Sequence, residues 1–424
     1  MRRTYRVRRN DEGEAQRRRW TFYEAIKFGC RRRIRKVAYC NFQLPKEIED
    51  FRLKVREFIT QEVLPLEKTL EPDAVGLPDG ELKKLQAKAK EAGLWALGVP
   101  KKFGGQERSI FELTLCSEET SQHRLGAYNP ALGGLGSEPP NVMYEGTESQ
   151  IQKYVIPTIE GKIKKTFIAI TEPSGGSDPA RAIRTKAVLD GDTWVLNGSK
   201  MFISSVDKAE FGAVFARTDP GREGITAFVV EKGIPGFSWK EVPVIRPWYP
   251  CELSFDNCRL PLDCQLGERG QGFRLLNKWL VRGRIPYAAG CIGIASAALR
   301  YAIQYANEHK VNGVPRIKNQ SFQWMLDDSE IEIRAARWLI WEAAWKADRK
   351  EDARREASIA KVFGTETANR VIDRCIQVCG LDALADYEMP LGRWYRELRV
   401  KRIGEGPSEI HRMVIGRDYV LKEK

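Results

Sequence analysis

The spacing of apolar residues changes twice along this 424-residue chain, and no single class of secondary structure accommodates both spacings. The segment PKEIEDFRLKVREFITQEV, from Pro45, and the long segments after residue 272 repeat apolar residues at helical intervals. Between them, TKAVLDGDTWVLNGSKMFIS (185–204) and the runs that follow alternate like short strands, with Asp190-Gly191-Asp192 marking a hairpin. This order indicates an α+β chain rather than a succession of βαβ units.

These changes of pattern predict four segments. Residues 1–40 are a basic arm that we expect to be disordered, and residues 41–165 are an N-terminal helical domain. Residues 166–271 read as an antiparallel barrel or sandwich, and we predict a middle antiparallel β-barrel. Residues 272–424 are predicted to form a C-terminal four-helix bundle. No Rossmann glycine fingerprint precedes a helix, so that dinucleotide fold is not expected.

The net charge of +13 is concentrated at the amino-terminal end. Residues 1–40 carry +10, which leaves +3 for the rest of the chain, so the charge indicates an arm rather than a nucleic-acid-binding face. Such an arm has the composition to contact phosphates, an anionic membrane surface or an import receptor. It has no Ser and contains acidic residues, which fits a transit peptide poorly, and an extension translated from an upstream start is the alternative.

Cysteine and histidine usage argues against disulfides and a metal site. The nine Cys are an odd number without C-x-x-C pairs or a secretory signal, which indicates reduced thiols. Cys251, Cys258 and Cys264 lie close together, but none of the three His is near them, so we expect no metal. No stretch approaches the roughly 18 consecutive apolar residues of a membrane span, and we expect a soluble protein.

The stretch TEPSGGSD (171–178) is the strongest local candidate for a ligand loop. It follows the apolar run that ends at Ile170, and Pro173, Gly175 and Gly176 are typical of a turn at the end of a strand. Adjacent glycines let backbone N–H groups approach a ligand, and hydroxyls add uncharged donors. A turn without a ligand is the alternative interpretation of this stretch alone.

Three motifs in one order give the sequence a family resemblance. FIAITEPSGGSD, LNGSKMFIS and the terminal IGEGPSEIHRMVIGRDYV together resemble the acyl-CoA dehydrogenase family over roughly residues 41–422. The resemblance implies FAD as cofactor and α,β-dehydrogenation of an acyl-CoA thioester, with a role in fatty acid metabolism.

The resemblance also implies which residues bind FAD. Thr171 matches the threonine whose hydroxyl bonds the flavin, and Gly176-Ser177 match the residues that reach the pyrophosphate, Ser177 also facing the substrate. For Phe202, which matches an aromatic beside the flavin, simple hairpin packing is an equal alternative. The other implied FAD contacts are Ile168, Ile170, Ser204, Gln320 and Gln377.

The base that removes the substrate α-proton is implied to be Glu405, in IGEGPSE. Arg284 matches the arginine that holds CoA. The family's second location for the base is the residue before this arginine, which here is Gly283, so the role falls on Glu405. A carboxylate buried beside the flavin would have a raised pKa.

Several positions depart from the family pattern. His309 and Asn312 replace the arginine and phenylalanine of R-x-x-F-G, and Leu381-Asp382 interrupt a glycine-rich phosphate contact. A mostly neutral imidazole cannot make the bidentate contact of a guanidinium with pyrophosphate. Further departures are Gly404 for an aromatic, Pro407 for a hydroxyl and Val281 for an aspartate.

Two interpretations follow from these matches and departures. The first is an active enzyme that acts on acyl-CoA, passes electrons to electron-transferring flavoprotein and forms a homo-oligomer, a dimer or a tetramer. The second is a partner subunit of a hetero-oligomer, or a flavoprotein of the same fold that binds nucleic acid as one family branch does; nucleic acid is not the expected partner. We expect a cytoplasmic location, or the mitochondrial matrix if the arm is a transit peptide. The sequence leaves the acyl chain open.

Overall fold

Helices occupy both ends of the chain and strands its middle in the computed structural model, which describes residues 43–246, 248–385 and 389–419. The predicted arm, 1–40, lies outside these residues. The α-helices before the sheet are Lys46–Phe58 (α1), Leu64–Glu67 (α2), Asp79–Glu91 (α3), Ile110–Thr120 (α4), Glu148–Gln150 (α5) and Ile156–Glu160 (α6). Those within and after it are Pro179–Ala182 (α7), Gly272–Glu308 (α8), Gln320–Asp348 (α9), Arg354–Cys379 (α10), Leu391–Lys401 (α11) and Ser408–Gly416 (α12).

The N-terminal helices are capped and joined to the C-terminal bundle by specific hydrogen bonds. Ser109 caps α4 in a reciprocal capping box with Glu112, which satisfies backbone donors that the first turn leaves free. Asp348, at the end of α9, accepts hydrogen bonds from the N–H groups of Ile110 (2.7 Å) and Phe111 (2.9 Å). The start of α4 is thereby fixed to the bundle.

The strands of the middle region form one sheet in the order β6-β7-β3-β2-β4-β5-β8, with β1 beside β4. Alternate residues of the long strand β3 are buried, as expected for a sheet with one face on the core. A short hairpin, β9 and β10, follows α8. The strands are Thr166–Ala169 (β1), Lys186–Asp190 (β2), Thr193–Ile203 (β3), Phe211–Arg217 (β4), Ile225–Glu231 (β5), Phe237–Glu241 (β6), Cys251–Pro261 (β7), Gln265–Leu266 (β8), Lys310–Val311 (β9) and Val314–Pro315 (β10).

Two strand pairs are parallel, whereas the sequence predicted antiparallel pairing throughout. β1 pairs with the first half of β4 and β2 meets β4 at Arg217, so β1 and β2 lie end to end along one side of β4. A parallel return needs a crossover of a dozen residues or more. The connection from β1 to β4 includes β2 and β3, and its first part, residues 170–185, contains the predicted ligand loop.

The C-terminal helices pack closely because their contact positions carry small residues. α8 is 37 residues long, about 55 Å, and packs against both α9 and α10, with α11 and α12 against α10. A Cβ added at Gly364 of α10 would lie 3.3 Å from the Cβ of Ala288 in α8. The α+β class with helices on both sides of a β region is confirmed.

The described cysteines are all free thiols and buried, and none of the helices in this part of the chain is long and apolar enough to cross a bilayer.

Candidate active site

Glu405 lies in the turn between α11 and α12 with a left-handed backbone, φ +59°. A non-glycine residue rarely adopts this conformation, so the turn must be held by its surroundings. Gly406 follows with φ +95°, and a Cβ there would lie 3.1 Å from Nε2 of His411. The glycine therefore lets the imidazole approach the backbone beside the carboxylate.

Three cationic or imidazole side chains hold the backbone of this turn. Arg284 of α8 donates from Nε to the Glu405 carbonyl at 3.1 Å, and Nε2 of His411 lies 3.1 Å from the same oxygen. Lys361 of α10 is buried and donates to the carbonyls of Gly406 (2.7 Å) and Arg402 (3.2 Å). The main chain around Glu405 is thus fixed by three elements of the bundle.

The carboxylate of Glu405 is left without such a partner. Its Oε2 is buried and accepts no hydrogen bond from the residues that the structure describes. Burial raises the pKa of Glu405 above its usual value, while Arg284, Lys401 and Lys361 act against that rise. A buried oxygen with a raised proton affinity is the arrangement that a general base requires.

Burial has the opposite effect on His411. Burial lowers its pKa to about 4, with the charges of Arg284 and Lys361 acting in the same direction. The ring is therefore neutral near pH 7, and we assign its proton to Nε2, which then donates to the Glu405 carbonyl. The sequence analysis missed both His411 and Lys361.

Tyr287 of α8 lies against the turn at Gly404, the position where the family resemblance implies an aromatic. A Cβ at Gly404 would lie 2.8 Å from the Tyr287 hydroxyl, so Gly404 is required for this approach. The Lys401 ammonium lies 4.6 Å from the centre of the Tyr287 ring. Gly404 thus leaves room for an aromatic side chain from α8.

The predicted ligand loop is held by a buried ion pair that the sequence analysis also missed. Glu172 accepts from Lys200 Nζ at 2.8 Å and from the backbone N–H groups of Arg184 (2.7 Å) and Thr185 (3.0 Å). Burial acts to raise the pKa of Glu172, but Lys200 and these donors lower it overall. Lys200 also donates to the Ile170 carbonyl at 3.2 Å, so both ends of the loop are tied to β3.

The predicted FAD contacts Thr171, Gly176 and Phe202 lie close together at this loop. A Cβ at Gly176 would lie 2.9 Å from the Thr171 side chain, so only glycine permits this close backbone approach. The Thr171 carbonyl accepts from the Met201 N–H at 2.8 Å, which brings the loop beside Phe202. Phe202 has φ +60° and is 55% exposed, a conformation that hairpin packing alone does not explain.

Comparison with known proteins identifies the family. The chain matches the acyl-CoA dehydrogenase N-terminal domain over residues 45–162, the middle domain over 167–258 and the C-terminal domain over 270–420. The chain belongs to the acyl-CoA dehydrogenase family.

Relatives in the family cover nearly the whole chain. The mitochondrial short-chain specific acyl-CoA dehydrogenase of Rattus norvegicus is 34% identical over 91% of this chain and 92% of its own. The (R)-benzylsuccinyl-CoA dehydrogenase of Thauera aromatica is 36% identical over 89% of this chain and 96% of its own. The solved butyryl-CoA dehydrogenase from Megasphaera elsdenii superposes with a TM-score of 0.78 and 30% identity, covering 90% of this chain and all of that one.

FAD is the cofactor of the acyl-CoA dehydrogenase family, and the loop at Thr171 fits it. The loop offers a backbone cradle that a Cβ at Gly176 would fill, an exposed aromatic at Phe202 and the exposed hydroxyls of Ser177 and Ser204. Ile168 and Ile170 are half-buried on one side of β1 and its extension, while Phe167 and Ala169 face the core.

The remaining predicted FAD residues lie far from Glu405. Gln320, at the start of α9, and Gln377, near the end of α10, are both exposed. Lys361, which contacts the Glu405 turn, is sixteen residues before Gln377 in α10, a separation of about 24 Å along the helix. The structure therefore divides the predicted site between two ends of the bundle.

The distal end contains an arginine, Arg316, whose backbone N–H donates to the His309 carbonyl at 2.9 Å. Arg316 donates to the carbonyls of Val378 (2.9 Å) and Cys379 (3.1 Å), beside Gly380. Its guanidinium lies 5.8 Å from the Tyr305 ring. Asp382 accepts from the Tyr305 hydroxyl at 2.6 Å, so its charge is held at the end of α8.

The other residues that depart from the family pattern lie at different places in the structure. His309 stacks on Tyr305 with ring centroids 4.8 Å apart, and Leu381 is 83% exposed. Pro407 precedes α12 with an extended backbone that suits the position before a helix. Neither His309 nor Leu381 is packed in the core of this chain.

Proposed function

We propose that this protein is an FAD-dependent acyl-CoA dehydrogenase in which Glu405 removes the α-proton of an acyl-CoA thioester. The supporting observation is the unpartnered, buried Oε2 of Glu405 on a backbone fixed by Arg284, His411 and Lys361. A positioned base with a pKa raised toward the working pH accepts a proton with little reorganisation. The reaction removes one hydrogen each from the α- and β-carbons and leaves a double bond between them.

The chain's own groups have distinct roles in this proposal. Arg284 and His411 fix the Glu405 carbonyl, which orients the side chain toward the substrate. The Glu405 N–H polarises the thioester carbonyl and so acidifies the α-carbon, as the family resemblance implies. Thr171, Gly176, Ser177, Phe202 and Ser204 hold FAD, which when bound accepts the β-hydrogen with its electron pair. Arg284 also contacts CoA.

Glu405→Gln tests the base. The amide keeps the size of the side chain but cannot accept the proton, and loss of a general base slows proton transfer by about 10² to 10⁴-fold. The measurement is the anaerobic bleaching of bound FAD by butyryl-CoA in stopped flow, with thioester binding followed by the shift of the flavin spectrum. Glu409→Gln, an exposed residue of the same turn and helix, is the control. Bleaching of the Glu405→Gln protein at the wild-type rate would refute the assignment.

The distal end of the bundle favours a second candidate. Leu381 is 83% exposed where the family contacts phosphate, and His309 replaces its arginine. We infer as the alternative a partner subunit of a hetero-oligomer, or a non-dehydrogenase, nucleic-acid-binding flavoprotein of this fold. The visible spectrum of the purified protein separates the two: a protein that shows no flavin bands after incubation with FAD is not a self-sufficient dehydrogenase.

The proposed partners follow from the enzyme assignment. Electron-transferring flavoprotein is the proposed oxidant, and the acyl group stays open between the short-chain and benzylsuccinyl substrates named for the relatives. A homo-oligomer, a dimer or a tetramer, is supported by exposed apolar residues at seven-residue intervals on α9, Trp324 (60%), Ile331 (63%), Trp338 (49%) and Trp345 (52%). A cytoplasmic location is supported by the buried free thiols.

A further inference from the structure

A second group of unpartnered polar atoms lies in the middle region, away from the flavin loop. The Arg246 guanidinium lies 4.1 Å from the Trp248 ring and 5.6 Å from the Tyr128 ring, and those two rings are 3.9 Å apart. Nε of Arg246 and Nε1 of Trp248 are both buried without an acceptor among the residues described. Trp248 is only 5% exposed.

Cation–π contacts do not remove the need for an acceptor. Stacking stabilises the charge of the guanidinium, but its N–H groups lose their water on burial and cost free energy unless something accepts from them. Arginine cannot lose its proton to escape this cost. Two neighbouring donors without acceptors therefore point to a ligand that supplies acceptor oxygens.

The nearby carboxylate, Glu397, has one oxygen, Oε1, that is buried without a hydrogen-bond donor among the described residues. It is buried, lies 4.0 Å from Lys401 and accepts a hydrogen bond from the Tyr128 backbone N–H. Arg246 interacts with it only through space and forms no ion pair with it. Burial raises the pKa of Glu397, which further weakens its claim as the counter-ion of Arg246.

Tyr287 links Arg246 to the turn that carries the proposed catalytic carboxylate. Arg284, the proposed CoA contact, and Tyr287 are three residues apart in α8, about 4.5 Å along its axis. Tyr287 reaches the Glu405 turn at Gly404 and interacts electrostatically with both Glu405 and Arg246. An acyl group that passes Glu405 would therefore lie within electrostatic range of Arg246.

On the basis of the proposed function, we propose that Arg246, with Trp248 and Tyr128, binds a carboxylate at the end of the acyl group remote from CoA. The substrates are then CoA monothioesters of dicarboxylic acids. A guanidinium pairs bidentately with a carboxylate, and the two stacked rings fix its plane. Lys401, buried beside Tyr287, adds a second positive charge to this space.

Matched thioesters test the proposal by binding alone. Glutaryl-CoA and 5-methylhexanoyl-CoA have the same shape, with an isopropyl group in place of the carboxylate, and calorimetry gives their Kd values for the FAD-loaded protein. Wild type is expected to prefer glutaryl-CoA by at least tenfold, and Arg246→Gln to reduce that preference to within about threefold, the loss expected for a charge-assisted pair. Arg259→Gln, which removes an exposed arginine of β7, is expected to keep the wild-type ratio.

The outcomes distinguish this inference from the proposed function. A wild-type protein without preference for the succinyl, glutaryl or adipyl thioester over its isopropyl counterpart overturns the carboxylate site, whatever its turnover. A preference that survives Arg246→Gln overturns the assignment to Arg246. Arg246→Lys keeps the positive charge but not the two parallel N–H donors of a guanidinium. A preference for glutaryl-CoA between those of wild type and Arg246→Gln, with unchanged FAD content, supports the carboxylate site. Failure of every thioester to bleach FAD, with the binding preference intact, refutes dehydrogenation but not the site.

Discussion

The two ends of the C-terminal bundle differ in how their polar groups are satisfied. Around Glu405 the carbonyls of Arg402, Glu405 and Gly406 have partners from α8, α10 and α12, while Oε2 of the carboxylate has none among the residues described. At the distal end the side chains of Gln320 and Gln377 face solvent, and Arg316 donates to the last carbonyls of α10. A site built by one chain buries its reactive group, whereas a surface that awaits another molecule leaves its groups exposed.

Removing a group that holds the Glu405 turn should give the largest change in stability. Lys361→Met keeps most of the buried volume but leaves the carbonyls of Arg402 and Gly406 without a donor. Each unpaired buried carbonyl costs about 1–3 kcal/mol. Urea unfolding measures the loss. Lys310→Met, an exposed residue at the distal end, should change the free energy of unfolding by less than about 0.5 kcal/mol. Equal effects would remove the distinction between the two ends.

The buried imidazole predicts a pH dependence of stability. The folded-state pKa of His411 is about 4, so the unfolded chain takes up a proton near pH 6.5 and the folded chain does not. This contribution to stability is complete above pH 6.5 and is lost as pH falls toward 4, by about 1.4 kcal/mol for each pH unit. His411→Gln should reduce that slope in denaturant titrations from pH 7 to 4. An unchanged slope would mean that another group dominates.

The catalytic carboxylate itself is expected to cost stability. The pKa of Glu405 is raised in the folded state, so the folded chain must ionise an unfavourably buried group at neutral pH. Glu405→Gln should therefore raise the free energy of unfolding by about 0.5–2 kcal/mol at pH 7, a range typical of relieved functional sites. The gain should shrink near pH 4, where the wild-type carboxyl is protonated. A less stable variant at pH 7 would contradict this account.

The smallest predicted effect lies at the distal end. Asp382→Asn removes a negative charge near the proposed phosphate contact while keeping an acceptor for Tyr305. Removing one unit charge in a solvated setting is worth about 1 kcal/mol at 4 Å, or about fivefold in FAD affinity. Fluorescence titration of FAD into apoprotein measures it. Unchanged affinity would mean that Asp382 is remote from the phosphates.

The sequence predicted the elements that depend on local pattern. Helical spacing predicted both helical regions, and the glycines after Thr171 predicted the turn there, because turn chemistry and periodicity are local properties. The motif match added Arg284 through the family resemblance, and the structure brings it to the Glu405 carbonyl.

The contacts that hold the loop at Thr171 and the turn at Glu405 were not predicted, because they join distant segments. Glu172 and Lys200 are 28 residues apart, and Lys361 is 45 residues before Gly406. One signal was available: Lys361 lies four residues after Ala357 and four before Thr365, on the stripe of α10 that is buried. A lysine in a buried stripe indicates a specific partner. The parallel pairing of β1 with β4 had no comparable local signal.

In the loop between β1 and β2, the residues that can contact a ligand are separate from those that set the pairing of the strands. Both strands pair with β4, so their pairing does not depend on the residues of the loop between them. Pro173 and Ser174 are exposed at the tip, beyond the ion pair that ties the base of the loop. Residues inserted at that tip are expected to change the ligand contacts of the loop while the strands keep their register. The tip is therefore a suitable position for inserting a new binding segment.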